Sequence, residues 1–295
     1  MRPGRPDDIE LLLRRFRVDA LERRREFASP GWLAGVMSDF DWAAKCRVVE
    51  DRPREEGLVV VFDRSTAAGT VTRIEASSST GEVSPLLEWG LRFSRAAGAV
   101  AAQVWRPPGQ SEDLGQLGLT RRRPFWRMDR SSLDSIPEVP ATRGYRVISQ
   151  DIEPRPVELW VQVFNRAFSE HFNHSPLTTE LFQKRYLGHP DLLLMAVTDQ
   201  GEPAALVLGQ LDDLLPDDPR LGPLGIVGIV ATLPEHRRRG LAAQLTAECL
   251  RRLRSRGAGS ASLHVDAMNA DRAFDLYRRL GFEVGFELEV WERRI

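Results

Sequence analysis

A chain of 295 residues, 42% hydrophobic and 28% charged, has the material for a real core and the length for two domains of roughly 150 residues each. A formal charge of −1 gives no general attraction for nucleic acid or a membrane surface, and no apolar run reaches the roughly 20 residues of a membrane span. Two distant cysteines, Cys46 and Cys249, offer neither a disulfide framework nor metal-ligand spacing, so no metal is expected.

In chain order, residues 6–25 read as a helix, with Ile9, Leu12, Leu13, Phe16 and Ala20 at helical spacing. An apolar segment follows, carrying Trp32, Leu33, Val36, Met37, Phe40 and Trp42. Residues 58–63 and 68–76 read as neighbouring strands that turn at Arg64-Ser65-Thr66, and 77–82 as a polar loop. A helix over 85–97, a strand over 99–105, a short helix over 110–117 and a strand over 123–129 complete the first half. Residues 131–143, with Pro137 and Pro140 among polar residues, read as a linker. The succession then restarts: a strand at 145–148, helices at 154–168 and 178–186, and strands at 192–198 and 204–211 turning across Asp199-Gln200-Gly201-Glu202. The start of the chain shows no signal peptide, so a reducing cytoplasm is the expected compartment.

The informative stretch lies at 224–254. Residues 224–230 are nearly all apolar or Gly, as in a buried strand, and Pro234 marks its exit because proline cannot continue a ladder. A helix over 239–254 follows, with Leu241, Leu245, Cys249, Leu250 and Leu253 on one face and Arg251, Arg252 and Arg254 opposite. Its first turn carries only small residues at Gly240 and Ala242. Uncovered N–H groups at a helix start can receive phosphate. A basic first turn on an ordinary amphipathic helix has the same pattern. Further on, a strand at 260–265 leads to Asn269, then a helix with Ala273 and Tyr277 four residues apart, closed by Gly281-Phe282.

Arg-x-x-Gly-x-Ala at 237–242, after a strand and Pro234, together with Asn269, Ala273, Tyr277 and Gly281-Phe282, resembles the GNAT family of acyl-CoA N-acyltransferases. The resemblance spans residues 144–295. It implies an α/β fold, a mixed sheet with flanking helices, and an acetyl group passing from acetyl-CoA to the amine of a small molecule by direct attack. It also implies roles for particular residues. The main chain at Val230, Ala231 and Thr232 holds the pantetheine arm, and Arg237, Arg238, Arg239, Gly240, Leu241 and Ala242 hold the pyrophosphate. Asn269 lines the pantetheine side, and Tyr277 protonates the departing thiolate. His264, sharing a strand face with Asp266, is the candidate base or substrate-side residue, with a satisfied core histidine as the alternative. Glu170, His171, Phe172 and His174 stand by position near the acceptor. Glu235 and the acidic run Asp212, Asp213, Asp217 and Asp218 are expected in solvent.

The two halves read as one unit used twice. Residues 113–119 echo 276–282, so that Gly118 matches Gly281 and Leu114 stands where the second half has Tyr277. The first half also lacks the Arg-x-x-Gly-x-Ala pattern. The expectation is two tandem GNAT-like domains, a degenerate one at 1–135 and a catalytic one at 142–295, in a monomer or homodimer. This layout resembles that of a group of tandem members of the family that acetylate a cysteinyl amine on a pseudo-disaccharide. This chain carries Ile226 and His264 where such members carry an acidic residue and a Tyr, so a different or broader amine acceptor is expected. A non-catalytic acyl-CoA-binding or regulatory module and a protein N-acetyltransferase are the alternative readings.

Overall fold

The computed structural model describes residues 1–15, 37, 39–51, 55–109, 112–172, 174–212, 223–268 and 272–295. They cluster into two units, Met1–Phe125 with Phe286–Ile295, and Trp126–Gly285. The units therefore part at 125/126, ahead of the 131–143 linker, and the closing stretch of the chain belongs with the first.

In the first unit, residues 9–15 and α1 (Trp42–Lys45) are helical, and the sheet runs β1 (Arg2–Pro3), β2 (Cys46–Asp51), β3 (Glu55–Thr66), β4 (Gly69–Ser78), β5 (Ala101–Arg106). Its neighbours pair antiparallel except β4 and β5, which are parallel and joined by α2 (Ser84–Ala96). Strand periodicity shows in β3: Val59 and Val61 pack with Leu86 and Leu87 of α2, while Leu58 and Val60 enter a second core with Leu12 and Trp42. The hairpin between β3 and β4 turns at Ala67-Ala68 rather than at Arg64-Ser65-Thr66, because Thr66 pairs with Gly69 and its hydroxyl donates to the Gly69 carbonyl. β2 has no counterpart in the sequence reading. A short helix α3 (Glu112–Gln116) and β6 (Thr120–Arg130) follow.

The second unit repeats the plan with β7 (Tyr145–Ser149), α4 (Val157–Phe168), α5 (Thr179–Tyr186), β8 (Leu193–Thr198), β9 (Pro203–Asp212), β10 (Leu224–Thr232), α6 (Leu241–Ser255), β11 (Ser260–Asp266) and α7 (Ala273–Arg279). Again three antiparallel pairings, β7 to β10, precede a parallel one, β10 with β11, bridged by a helix. Both faces of this sheet are covered. In β8, Leu194 and Ala196 join α6 in one core, whereas Leu193, Met195 and Val197 join α4 and α5 in the other. Cys249 is fully buried in the α6 core, where burial pushes its thiol up to about 12, the behaviour of a small hydrophobe. β12 spans Glu283–Arg294, and its Glu289–Arg294 part pairs antiparallel with β5 within the first unit. Among the described residues, no helix is long and apolar enough to cross a membrane, and no group of His, Cys, Asp and Glu is arranged to hold a metal.

The internal echo has a structural counterpart. Gly118 and Gly281 have φ of +75° and +83°, and each ends a helix with the same pair of bonds. Leu119 N–H donates to Leu114 O at 3.0 Å and Gly118 N–H to Gly115 O, while Phe282 N–H donates to Tyr277 O at 3.0 Å and Gly281 N–H to Arg278 O. Leu114 therefore occupies the place of Tyr277, and it is buried in the α2 core.

Candidate active site

The parallel pairing of β10 and β11 covers only Leu224–Ile226 against Ser260–Ser262, yet the strands run on to Thr232 and Asp266. A bulge at Gly228 breaks the register of β10 on its other edge: Val227 pairs with Gly209, but Ile229 pairs with Leu208. The strands thus separate, and Val230, Ala231 and Thr232 line a cleft of about 610 Å³. The first unit differs here. Its β4 and β5 stay paired through Ile74 and Val104, and two residues further on Arg106 Nη2 donates to Ala76 O at 3.0 Å, bridging the strands where the second unit opens.

From Thr232 the chain passes through a 3₁₀ turn, Pro234–His236, into α6. The helix begins at Leu241, two residues later than the apolar pattern suggests, because Arg238 and Gly240 both take positive φ, +63° and +90°. The first intrahelical bond is donated by Gln244 to Gly240 O at 3.0 Å. The N–H groups of Leu241, Ala242 and Ala243 precede it, and all three residues line the cleft. Leu241 is buried in the core and Ala242 and Ala243 carry only methyl groups, which leaves a surface of donors at the positive end of the helix. His171, His236, Arg238, Arg272 and Arg279 line the same cleft with one carboxylate, Asp275, which Arg272 pairs at 2.9 Å. The cleft is built for an anion.

The three arginines of the motif divide their work. Arg237 lines the cleft but donates to Thr232 O at 3.3 Å and Ala167 O at 3.2 Å, tying the end of β10 to α4. Arg239 donates to Glu235 O at 3.4 Å and stands off the cleft wall. Arg238 is exposed at the cleft and has no side-chain partner among the described residues. Glu235 is exposed and pairs with Arg166 at 2.9 Å; its own N–H and Arg166 hold its carboxyl below the usual range, which weakens it as a base.

Opposite the helix start, Tyr277 on α7 lines the cleft with 7% of its surface exposed, its ring edge-on to Phe282 at 6.2 Å. Burial pushes its phenol well above the ordinary range, so it holds its proton at any physiological pH. Its helix is clamped at the far end by Arg130, whose guanidinium donates to Leu280 O and Ser135 O. A Cβ at Gly281 would displace the Arg130 guanidinium, and the positive φ there, +83°, favours glycine.

The structure therefore gathers Val230, Ala231, Thr232, Arg237, Arg238, Gly240, Leu241, Ala242 and Tyr277 around one cleft. Arg239 and His264 are not on its wall; His264 is half-buried on β11, on the strand face opposite buried Leu263 and Val265. Asn269, Asp213, Asp217 and Asp218 lie outside the described residues, and the helix expected from 269 is described from Ala273. Of the residues expected near the acceptor, His171 lines the cleft, edge-on to Phe168 at 4.5 Å, while burial holds the His174 imidazole below its ordinary value. Sequence reasoning missed Arg130, Thr142, Tyr145 and His236, which act across long sequence separations and carry no local pattern.

Comparison with known proteins agrees with this geometry. The model of the acetyltransferase (GNAT) family matches residues 157–282. A mycothiol acetyltransferase of Kytococcus sedentarius is 31% identical over 177 residues, 56% of this chain and 55% of that protein, so the match spans little more than half that relative's length. Another, from Brachybacterium faecium, is 30% identical over 77% of this chain and 68% of its own. Among solved structures, a GCN5-related N-acetyltransferase from Sphaerobacter thermophilus superposes with a TM-score of 0.75 at 22% identity, covering 99% of this chain and 94% of that one. A tandem GNAT protein from the clavulanic acid biosynthesis pathway gives 0.64 at 14% identity, covering 100% and 97%.

Proposed function

The chain belongs to the acetyltransferase (GNAT) family, and from that premise we propose that it transfers an acetyl group from acetyl-CoA to the amine of a small-molecule acceptor, using the second unit alone. The observation that carries this reading is the meeting in one cleft of the unclaimed N–H groups of α6, the unpaired edge of β10 and Tyr277. The donor set fits the co-substrate. A diphosphate needs several N–H donors on a concave surface with positive potential, as at the start of α6. A pantetheine arm, which carries amides, needs a free strand edge, as at Val230 to Thr232.

In the proposed reaction the amine nitrogen bonds to the thioester carbonyl carbon, the C–S bond breaks, and the thiolate takes a proton. Main-chain donors on β10 stabilise the developing oxyanion. Tyr277 supplies the proton to sulfur; its raised phenol stays protonated beside a leaving thiol whose ordinary pKa is about 8.5. Asn269 lines the pantetheine side, Arg239 supports the cradle loop, and His264, off the cleft wall, accepts the amine proton through water. The acceptor differs from, or is broader than, that of the mycothiol acetyltransferases, given Ile226 and His264 on the strands that flank the cleft.

The domain at 142–295 carries catalysis, and that at 1–135 is a degenerate copy. Leu114 in place of Tyr277, Pro85 in the first turn of α2, where it removes an N–H, and the Arg106 bridge support this assignment. Leu114→Ala should lower stability by about 2 to 4 kcal/mol through the cavity it leaves, yet leave kcat and the KM for acetyl-CoA unchanged. Urea unfolding and steady-state kinetics check both halves of that statement. A panel of small amines, assayed for release of CoA thiol, tests the activity itself. Turnover on at least one amine is expected; a protein that binds acetyl-CoA but turns over none is a non-catalytic binding module instead.

A further inference from the structure

His236 ends the 3₁₀ turn between β10 and α6 and lines the cleft, half-buried. Its Nδ1 lies 2.8 Å from the Tyr145 hydroxyl, and the two rings meet edge to face at 5.6 Å and 89°. Tyr145 opens β7, immediately after the linker. The turn before it is fastened to the helix start as well: Thr142 N–H donates to Gln244 Oε1 at 2.9 Å, Thr142 Oγ1 donates to Arg239 O at 3.3 Å, and Tyr145 N–H donates to Thr142 O at 3.2 Å. Residues 142–145 thus form a back wall for the anion cradle, bonded to the residues on both sides of Gly240.

The Tyr145 bond decides which ring nitrogen of His236 carries hydrogen. A phenol is the better donor toward a neutral imidazole, so Tyr145 O–H donates to Nδ1 and the ring hydrogen sits on Nε2. When the imidazole is charged, Nδ1–H donates to the phenol oxygen and Nε2 still carries its hydrogen. In both states Nε2 carries a hydrogen, on a ring that lines the cleft and cannot flip without losing its partner.

We infer that His236 donates its Nε2–H to a diphosphate oxygen of the acyl-CoA, and that Tyr145 is a positioning residue that fixes the tautomer and ring orientation for this contact. The inference rests on the acyl-CoA reading of the cleft. It adds one imidazole donor, aimed by a residue some 90 positions away in sequence, to a cradle of main-chain groups with exposed guanidinium groups around it. It also gives the junction at 142–145 a role in binding.

Calorimetric titration of the full chain with acetyl-CoA and with its 3′-dephospho form tests this. His236→Phe should weaken both about tenfold, the loss expected of a hydrogen bond to a charged oxygen, and His236→Gln, which keeps an N–H near the Nε2 position, should stay within about threefold of wild type. Tyr145→Phe, which keeps the ring and removes only the hydroxyl, should weaken both about three- to fivefold. Because Tyr145 acts through His236, the double variant Tyr145→Phe/His236→Phe should bind no more weakly than His236→Phe alone. Additive losses would show that Tyr145 acts independently and overturn the positioning role. A His236→Phe variant that binds like wild type, or a loss confined to the form bearing the 3′-phosphate, would overturn the diphosphate contact. If the wild-type chain binds neither compound, it is the acyl-CoA reading that fails.

Discussion

Tyr277→Phe should lower kcat by about a hundredfold or more while changing the affinity for acetyl-CoA by less than about threefold, as expected when a general acid is removed from an otherwise intact site. The phenol hydroxyl is the only atom lost. The ring keeps its edge-on packing with Phe282, and the backbone of Tyr277 still accepts from Phe282 N–H, so α7 retains its end. A second consequence follows from burial. The folded chain holds the phenol proton more tightly than the unfolded chain, so stability from this group is full below a pH of about 10 and falls as the pH rises past that value. Wild type should therefore lose stability between roughly pH 9.5 and 11 relative to Tyr277→Phe, measured as the urea midpoint. Equal kcat values for the two proteins would remove Tyr277 from the reaction.

Gly240→Val should abolish acetyl-CoA binding, whereas Arg238→Ala should weaken it by only a few fold. At φ of +90° the residue before α6 adopts a backbone that a β-branched side chain resists, at a strain of about 1 to 3 kcal/mol. The obstacle is conformational rather than steric within the protein, since a Cβ there would meet only Thr142 Oγ1, at 3.7 Å. Relief of that strain turns the N–H groups of Leu241 to Ala243 away from a common point, and the cradle loses its main-chain donors together. Arg238 contributes one exposed charge, which solvent screens. Calorimetry on both variants, with circular dichroism to confirm the fold, gives the ranking; the reverse order would show that side-chain charge, not backbone, holds the anion.

The parts of this site legible in sequence were those written in local pattern. Pro234, Gly240 and Ala242 mark a strand exit and an open helix start because backbone geometry demands particular residues there. The Leu114 to Leu119 echo was legible because the same helix ending needs the same glycine. Periodicity located β8, β9 and α6 well. What it could not show were pairings made by distance. The bulge at Gly228 and the early end of the β10 and β11 ladder depend on register between strands. Arg106 bridging to Ala76 and Arg130 clamping Leu280 are single side chains, and any of the chain's many arginines would have looked the same. Arg237 and Arg239 illustrate this: the sequence shows three neighbouring arginines, but not that the side chains of these two donate to protein carbonyls.

The central claim is that one cleft, in the second unit, takes one acyl-CoA. Calorimetric titration of the full chain with acetyl-CoA tests it most directly. The account predicts a single site per chain, lost in Gly240→Val and kept in Tyr277→Phe; two equivalent sites, or a site that survives Gly240→Val, would contradict it.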